Sequence, residues 1–240
     1  MPGIYDNEAF FAAYGEMPRS REGLSAAGEW SRFRGLFPGL EGKRVLDLGC
    51  GYGWHCAYAA RMGADFVLGL DASEKMIEKA RAEHSAPAIR YEVGDLASYS
   101  CPPETYDLVL SNLALHYVED LTAVYRTVFR ALRPGGCFLF NIEHPVFTAG
   151  VGQDWVYDGA GNALYWPVDG YYMPGPRQTR FLGQAVMKQH HTLTQILNPL
   201  PQLGFRLTAV EEAMPPEAVQ AEQPDEMRRP MMLLVKTVKD

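Results

Sequence analysis

The 240-residue sequence has no segment approaching the ~20 apolar residues that a bilayer crossing needs. Its amino end, Met1 to Phe11, lacks the positive start and apolar run of a secretory signal, so an unexported, cytoplasmic protein off the membrane is expected. Cysteine is scarce: Cys50, Cys56, Cys101 and Cys137 are the only four, none at Cys-x-x-Cys or mixed Cys/His ligand spacing. Neither a disulfide framework nor a metal centre is expected, and a reducing compartment suits such thiols. Basic charge is also short. Lys and Arg number 22 against 29 Asp and Glu, a formal net charge of −7, which disfavours DNA or RNA because phosphate backbones are held by clustered cations. No internal repeat or low-complexity tract divides the chain, and its 47% hydrophobic content can fill a substantial core.

What is present is concentrated in Val45-Leu46-Asp47-Leu48-Gly49-Cys50-Gly51-Tyr52-Gly53-Trp54-His55. The apolar run reads as a buried strand, and it breaks into a turn where glycine permits positive φ and leaves no Cβ between backbone and ligand. The spacing is G-x-G-x-G, whereas the dinucleotide fingerprint G-x-G-x-x-G wants glycine where Trp54 stands. Asp47 can accept hydrogen bonds from the loop amides or, through water, from an ammonium group, and it would repel a pyrophosphate. On these residues alone a methyl donor, a dinucleotide and a purely structural turn stay open, with a phosphate anion disfavoured.

This D-x-G-x-G-x-G loop resembles the first motif of class I S-adenosylmethionine-dependent methyltransferases, and further pieces follow in that family's order. Phe66 to Leu70 reads as the second strand, ending in Asp71, an acid placed to accept both ribose hydroxyls of an adenosine-bearing cofactor. NAD shares that need. Asp71-Ala72-Ser73 opens a helix, Glu74 to Ala82, with Ser73 as its cap and Met76 placed either under an adenine face or in ordinary core. Ile89 to Val93 precedes Gly94-Asp95-Leu96. There the resemblance implies that the Asp95 carboxylate and the Leu96 amide meet the adenine edge; the plain alternative is an Asx turn. Asp107 to His116, opening on the strand Tyr106 to Leu110, resembles the fourth motif, and this implies that Ser111 and Asn112 face the methionine part of the donor. The loop residues Asp47, Gly49, Cys50 and Gly51 are implied contacts too. An amphipathic helix, Leu121 to Leu132, stops at Arg133-Pro134-Gly135-Gly136 before the strand Cys137 to Ile142.

Five strand-helix units in a row imply an α/β doubly wound sheet. With the resemblance, the expected fold is Rossmann-like and seven-stranded, mostly parallel with an antiparallel last strand, in one methyltransferase domain over 1–240. Residues 1–42 form a helical cap, 43–142 the cofactor core, 143–189 an inserted lid and 190–240 the last helix and strands. The cap is read as two or three short helices, with Tyr14 and Arg19 reaching the donor; a guanidinium can bind the donor's carboxylate bidentately. The lid is read as a long, ordered, aromatic-rich loop that buries an apolar or planar acceptor. Arg177 is either a partner for an acidic acceptor or a surface ion-pair residue. His190-His191 is read as opening the helix Thr192 to Leu203. Phe205 to Val210 and Met231 to Val238 are the last strands, joined by a surface linker, Glu211 to Arg229.

The resemblance implies S-adenosyl-L-methionine as donor and S-adenosyl-L-homocysteine as product, with in-line displacement by a small-molecule acceptor. Orientation alone is worth ~7–11 kcal/mol in such a step, so no metal or protein nucleophile is needed. If the acceptor must lose a proton, His116, His144 and His191 are the candidate bases; His116 and His191 are the catalytic residues expected here. The alternatives are a non-catalytic S-adenosylmethionine-binding module and a nucleotide-cofactor oxidoreductase.

Overall fold

The computed structural model describes residues 3–240. Three short helices come first, α1 (Glu8–Gly15), α2 (Pro18–Arg21) and α3 (Trp30–Leu36). The Asn7 side chain caps α1 by accepting the Phe10 amide at 3.0 Å, and Pro18 opens α2, where a missing N–H is tolerated. The core then runs β1 (Arg44–Leu48), α4 (Trp54–Arg61), β2 (Phe66–Asp71), α5 (Glu74–Glu83), β3 (Ile89–Val93), β4 (Tyr106–Asn112), α6 (Leu121–Ala131) and β5 (Leu132–Glu143). Beyond it lie α7 (Pro145–Thr148) and two hairpins, β6 (Val156–Tyr157) with β7 (Ala163–Tyr165) and β8 (Gly175–Phe181) with β9 (Gln184–His190). The chain finishes with α8 (Leu193–Leu197), α9 (Pro199–Gln202), β10 (Phe205–Glu212), α10 (Glu217–Glu222) and β11 (Met232–Lys239).

Seven strands form one sheet in the order β10-β11-β5-β4-β1-β2-β3. β1 pairs in parallel with both β2 and β4, and β4 with β5, while β11 runs antiparallel between β5 and β10. The strands are apolar on both sides because both faces are covered. Leu46, Leu48, Val109, Phe138 and Phe140 pack one way, against Val124, Tyr125 and Val128 of α6 and Leu200 of α9. Val45, Val67, Leu108, Leu110 and Leu139 pack the other way, against Phe33 of α3, Cys56 and Ala59 of α4 and Ile77 of α5. The order reverses between β1 and β4, and ligands of open α/β sheets settle outside the strands' carboxyl ends at such a switch point.

Four expectations change. Among the described residues no helix lies between β3 and β4; Pro102 and Pro103 leave residues 94–105 short of backbone donors, and the connection is irregular. The lid is not a plain loop, since β8 and β9 form a seven-residue ladder with Val186, Lys188 and His190 inward. His190 accordingly ends a strand rather than opening a helix, and Pro199 and Pro201 divide the following helix in two. The linker Glu211 to Arg229 is shorter than expected, because β10 runs through Glu212 and α10 lies within it.

Two neighbouring cations fasten the lid: Arg228 donates to the Ala163 and Leu164 carbonyls and lies 4.7 Å from the Trp155 ring centre, and Arg229 is ringed by aromatics. The Arg229 guanidinium lies 4.3 Å from the Trp166 ring centre, 4.8 Å from Phe147 and 5.5 Å from Trp155, with Glu226 at 3.0 Å. Arg177 donates to the backbone carbonyls of Gly170, Met173 and Pro176. It holds a lid turn rather than an acidic acceptor or a surface carboxylate. Among the described residues no helix is long and apolar enough to cross a membrane.

Candidate active site

The carboxyl ends of β1, β2, β4 and β5 open into a cavity of about 810 Å3, roofed by the amino-terminal helices and the β8–β9 hairpin. The glycine loop forms its floor. The Gly49 and Cys50 amides donate to the Leu70 carbonyl at 2.8 and 2.9 Å, stapling the loop to β2. Gly49 has φ +78, and a Cβ there would stand 2.3 Å from the Ala114 Cβ. At Gly51, with φ +52, a Cβ would meet no protein atom within 4 Å. The first glycine is required by packing, the second leaves bare backbone toward the cavity.

Asp71 lies at the end of β2 beside this loop. Its Oδ2 accepts the Gly51 amide and its Oδ1 the Ser73 amide, both at 2.9 Å. Burial pushes its carboxyl up while those amides hold it down. A carboxylate offers about four acceptor positions, so two remain for a diol. Ala72, Met76, Asp95 and Leu96 continue the lining, as do Gly49, Cys50, Gly51 and Asn112. Asp95 Oδ1 accepts the Ala97 amide at 2.9 Å, an Asx turn, and its other oxygen has no hydrogen-bond partner among the described residues. Burial pushes the Cys50 thiol up to about 11, making it a packing group rather than a nucleophile.

The amino-terminal cap contributes Tyr14 and Arg19 to the lining. Tyr14 packs edge-on against Tyr5 and Tyr52, with centroids at 5.4 and 5.6 Å, and burial raises its phenol. Arg19 is not a free guanidinium, because Nη2 lies 2.6 Å from Oε2 of Glu29, a buried carboxylate. Glu29 Oε1 in turn accepts from Asn112 Nδ2 at 3.3 Å, and Asn112 Oδ1 accepts from Asn141 Nδ2 at 2.8 Å.

Four expected site residues stand outside the lining. Asp47 lies beneath the loop, 1% exposed, with Oδ2 accepting the Cys56 thiol at 3.3 Å and Oδ1 without a partner. Strand alternation sends Asp47 to the face covered by α3, α4 and α5, and burial pushes its carboxyl up to about 7. Ser73 caps α5 through the Met76 amide and donates to Asp6 at 2.7 Å. Ser111 is fully buried and ties β4 to β1 by donating to the Leu48 carbonyl at 2.8 Å. His191 bonds the Val118 carbonyl through Nε2 at 2.8 Å, so it braces the turn after β4. His144 is likewise spent, with Nδ1 accepting the Val146 amide and Nε2 3.1 Å from Glu212.

His116 does reach the cavity. It sits in a 3-10 turn, Leu115–Tyr117, and makes no hydrogen bond among the described residues; its Nε2 lies 4.0 Å from Glu143 Oε1 and its Nδ1 is buried without a partner. Burial lowers its pKa to about 4, against the pull of Glu143, so the imidazole is neutral at physiological pH. Glu143 closes β5, and its Oε1 is 2.5 Å from Lys188 Nζ. Burial would raise the Glu143 carboxyl, but His116 and Lys188 bring it net below its ordinary value. Glu29, Glu143 and Lys188 went unnoticed in the sequence. Glu143 carried the same signal as Asp71, an acid ending an apolar strand; Lys188 was legible only once the alternation Val186, Lys188, His190 was known to be a strand. Among the described residues no group of three or more His, Cys, Asp or Glu is placed to hold a metal ion.

Residues 45–136 match the methyltransferase-domain family. A solved S-adenosylmethionine-dependent methyltransferase from Mesorhizobium loti is 44% identical, superposes with a TM-score of 0.82, and is matched over 90% of this chain and 100% of its own. This chain belongs to the S-adenosylmethionine-dependent methyltransferases. An uncharacterized protein of Haemophilus influenzae is 30% identical over 98% of this chain and 96% of its own length. A ubiquinone biosynthesis O-methyltransferase of Sinorhizobium medicae is 41% identical over 70% of this chain, which spans 62% of that protein. The methyl donor of this methyltransferase is S-adenosylmethionine, and its fold is the family's. The oxidoreductase alternative falls with that membership; Trp54, in place of the third glycine, lines the cavity. Bare backbone at Gly51 and a half-buried acid with spare acceptor positions at Asp71 suit a cationic adenosyl compound.

Proposed function

We propose that this methyltransferase transfers the methyl group to a small molecule enclosed beneath the β8–β9 hairpin. Gly49, Cys50, Gly51, Asp71, Ala72, Met76, Asp95, Leu96 and Asn112 hold the donor, with Tyr14 and Arg19 closing over it. Asp47, Ser73 and Ser111 support those contacts from behind. When bound, the donor supplies an activated methyl on a sulfonium centre. The protein's share is then orientation and exclusion of water. His116 touches the acceptor and, where that atom carries a proton, takes it on Nε2; His191 acts only by bracing the turn that bears His116.

One observation carries this reading. A single cavity joins Gly51 and Asp71 to His116, Glu143 and Lys188, and its apolar lining includes Phe147, Phe181, Val186 and Met232. Such an apolar enclosure fits a small acceptor better than a polymer, in keeping with the acidic net charge. The test is incubation with isotopically methyl-labelled donor and a metabolite extract, with mass spectrometry of the small-molecule fraction. A labelled small product is expected. Label found only in protein or nucleic acid would overturn the small-molecule reading, and donor binding with no labelled product would favour the non-catalytic module.

A further inference from the structure

The acceptor end of the cavity is uneven in its hydrogen-bonding capacity. Lys188 projects from the inner face of β9, between Val186 and His190, and is 5% exposed. Its ammonium has three donors, and among the described residues only one finds an acceptor, Glu143 Oε1 at 2.5 Å. The Phe181 ring centre lies 5.4 Å away on another side. Glu143, by contrast, is surrounded: Lys188 on Oε1, Gln153 Nε2 at 3.4 Å on Oε2, and His116 Nε2 at 4.0 Å. Arg180, exposed at the cavity rim, adds a second cation that makes no ion pair among the described residues, and Glu119 is an exposed carboxylate on the same lining. The deep end thus holds a buried cation with two spare donors and a carboxylate already engaged by Lys188 and Gln153. A cationic acceptor would have to compete with Lys188 for Glu143 and would be repelled by the donor's sulfonium.

We propose that Lys188 selects the acceptor: the methylated atom is an oxygen presented as an anion, a carboxylate or an ionised phenol or enol, on an apolar body packed against Phe147, Phe181 and Val186. This rests on the cavity being the acceptor site. The acceptor oxygen's lone pair forms the new O–CH3 bond as the C–S bond breaks, with that bond's electron pair staying on sulfur. Sulfonium and oxyanion charges cancel, giving a thioether and a neutral ester or ether. A carboxylate enters without its proton; a phenol or enol gives its proton to His116 Nε2. The neutral His116, reluctant to hold a proton, suits oxygens acidic enough for Lys188 to keep ionised.

Binding in the presence of S-adenosylhomocysteine separates the possibilities. The probes are benzoate, octanoate and 4-nitrophenolate, with benzylamine and benzyl alcohol as cationic and neutral counterparts, titrated by calorimetry into the wild type, Lys188→Met, Lys188→Arg and the charge-free pair Lys188→Met with Glu143→Gln. Oxyanions are expected to bind at least about tenfold more tightly than their counterparts, to lose that margin in Lys188→Met and to regain part of it in Lys188→Arg, as charge-assisted hydrogen bonds do. The paired variant leaves no unpaired buried charge and covers the case in which Lys188→Met alone fails to fold. Octanoate and benzoate against 4-nitrophenolate tell a carboxylate from a phenolate, and His116→Gln should slow methylation of phenols only. Equal or better binding of benzylamine, no binding of any oxyanion, or oxyanion binding indifferent to Lys188 would overturn the proposal. Failure of S-adenosylhomocysteine itself to bind would instead overturn the reading of the cavity.

Discussion

Asp71 accepts the amide of Gly51, twenty residues earlier in the chain, at 2.9 Å. The acid at the end of β2 therefore shapes the glycine loop as well as facing the cavity. Asp71→Ala removes the acceptor of two backbone amides and, on the proposed reading, the partner of the donor's ribose diol. Hydrogen bonds to a charged group contribute about 1.5–3 kcal/mol each, so affinity for S-adenosylhomocysteine should fall on the order of a hundredfold by calorimetry, with a lower melting temperature. A loss below about threefold would count against Asp71 as a donor contact.

Ser111 gives the opposite pattern. Its hydroxyl is fully buried and donates to the Leu48 carbonyl at 2.8 Å. Ser111→Ala should cost about 1–3 kcal/mol of stability in denaturant unfolding and leave donor affinity unchanged. Weaker donor binding at equal stability would return Ser111 to the site.

Asp47 sets a pH dependence whose sign is fixed by burial. Burial raises its folded pKa to about 7 from an ordinary 3.8, so the native state holds a proton that the unfolded chain releases. Its stabilising share is complete below the unfolded value and is lost as pH rises through about 7. Asp47→Asn cannot lose that proton. The melting temperature of the variant relative to wild type should climb between about pH 4 and 7 and then level off; a flat difference would contradict the buried, protonated acid.

His116 works in the other direction. Its folded pKa, lowered by burial to about 4, means that the unfolded chain takes a proton first, so stability falls as pH drops below about 6.5 toward 4. In catalysis the imidazole stays neutral above that range. With an acceptor that carries a proton, kcat/KM should show no inflection near pH 6.5 from this group, and His116→Gln should lose about 10²–10⁴-fold. An inflection near pH 6.5 that vanishes in His116→Gln would show an imidazole of ordinary basicity instead.

Arg229 is the more buried of the two cations that fasten the lid, 4.3 Å from the Trp166 ring centre. Arg229→Leu keeps bulk but removes the cation. Limited proteolysis should then cut faster within residues 150–173, and KM for the acceptor should rise while donor affinity holds. Unchanged proteolysis would place the lid's stability elsewhere.

The elements of the core and the residues that line its end of the cavity were legible because their signals are local. An acid that ends a strand, as Asp71 does, or follows one by two residues, as Asp95 does, and a loop that needs glycine at Gly49 each announce themselves within a few residues. Asp47 misled because the same local pattern does not say which side of the sheet a strand-end residue faces, and the pleat sends it under the loop. Ser111 misled likewise: a hydroxyl at a strand end serves a neighbouring carbonyl as readily as a ligand. The Glu143–Lys188 pair was hidden because the two residues are 45 positions apart, on a strand of the main sheet and on a hairpin outside it. Arg19 was found, but Glu29, ten positions on, was not, since no turn of a single helix links them.

The antiparallel hairpin that bears Lys188 hangs between β5 and α8 and adds no strand to the main sheet. Gly51, Asp71 and Asp95 sit on different segments altogether. Exchanging that appendage for another of different lining would hand the same methyl-delivery chassis a new clientele, so kindred chains that agree closely through residue 142 and diverge over 143–189 should be grouped by appendage when their substrates are sought.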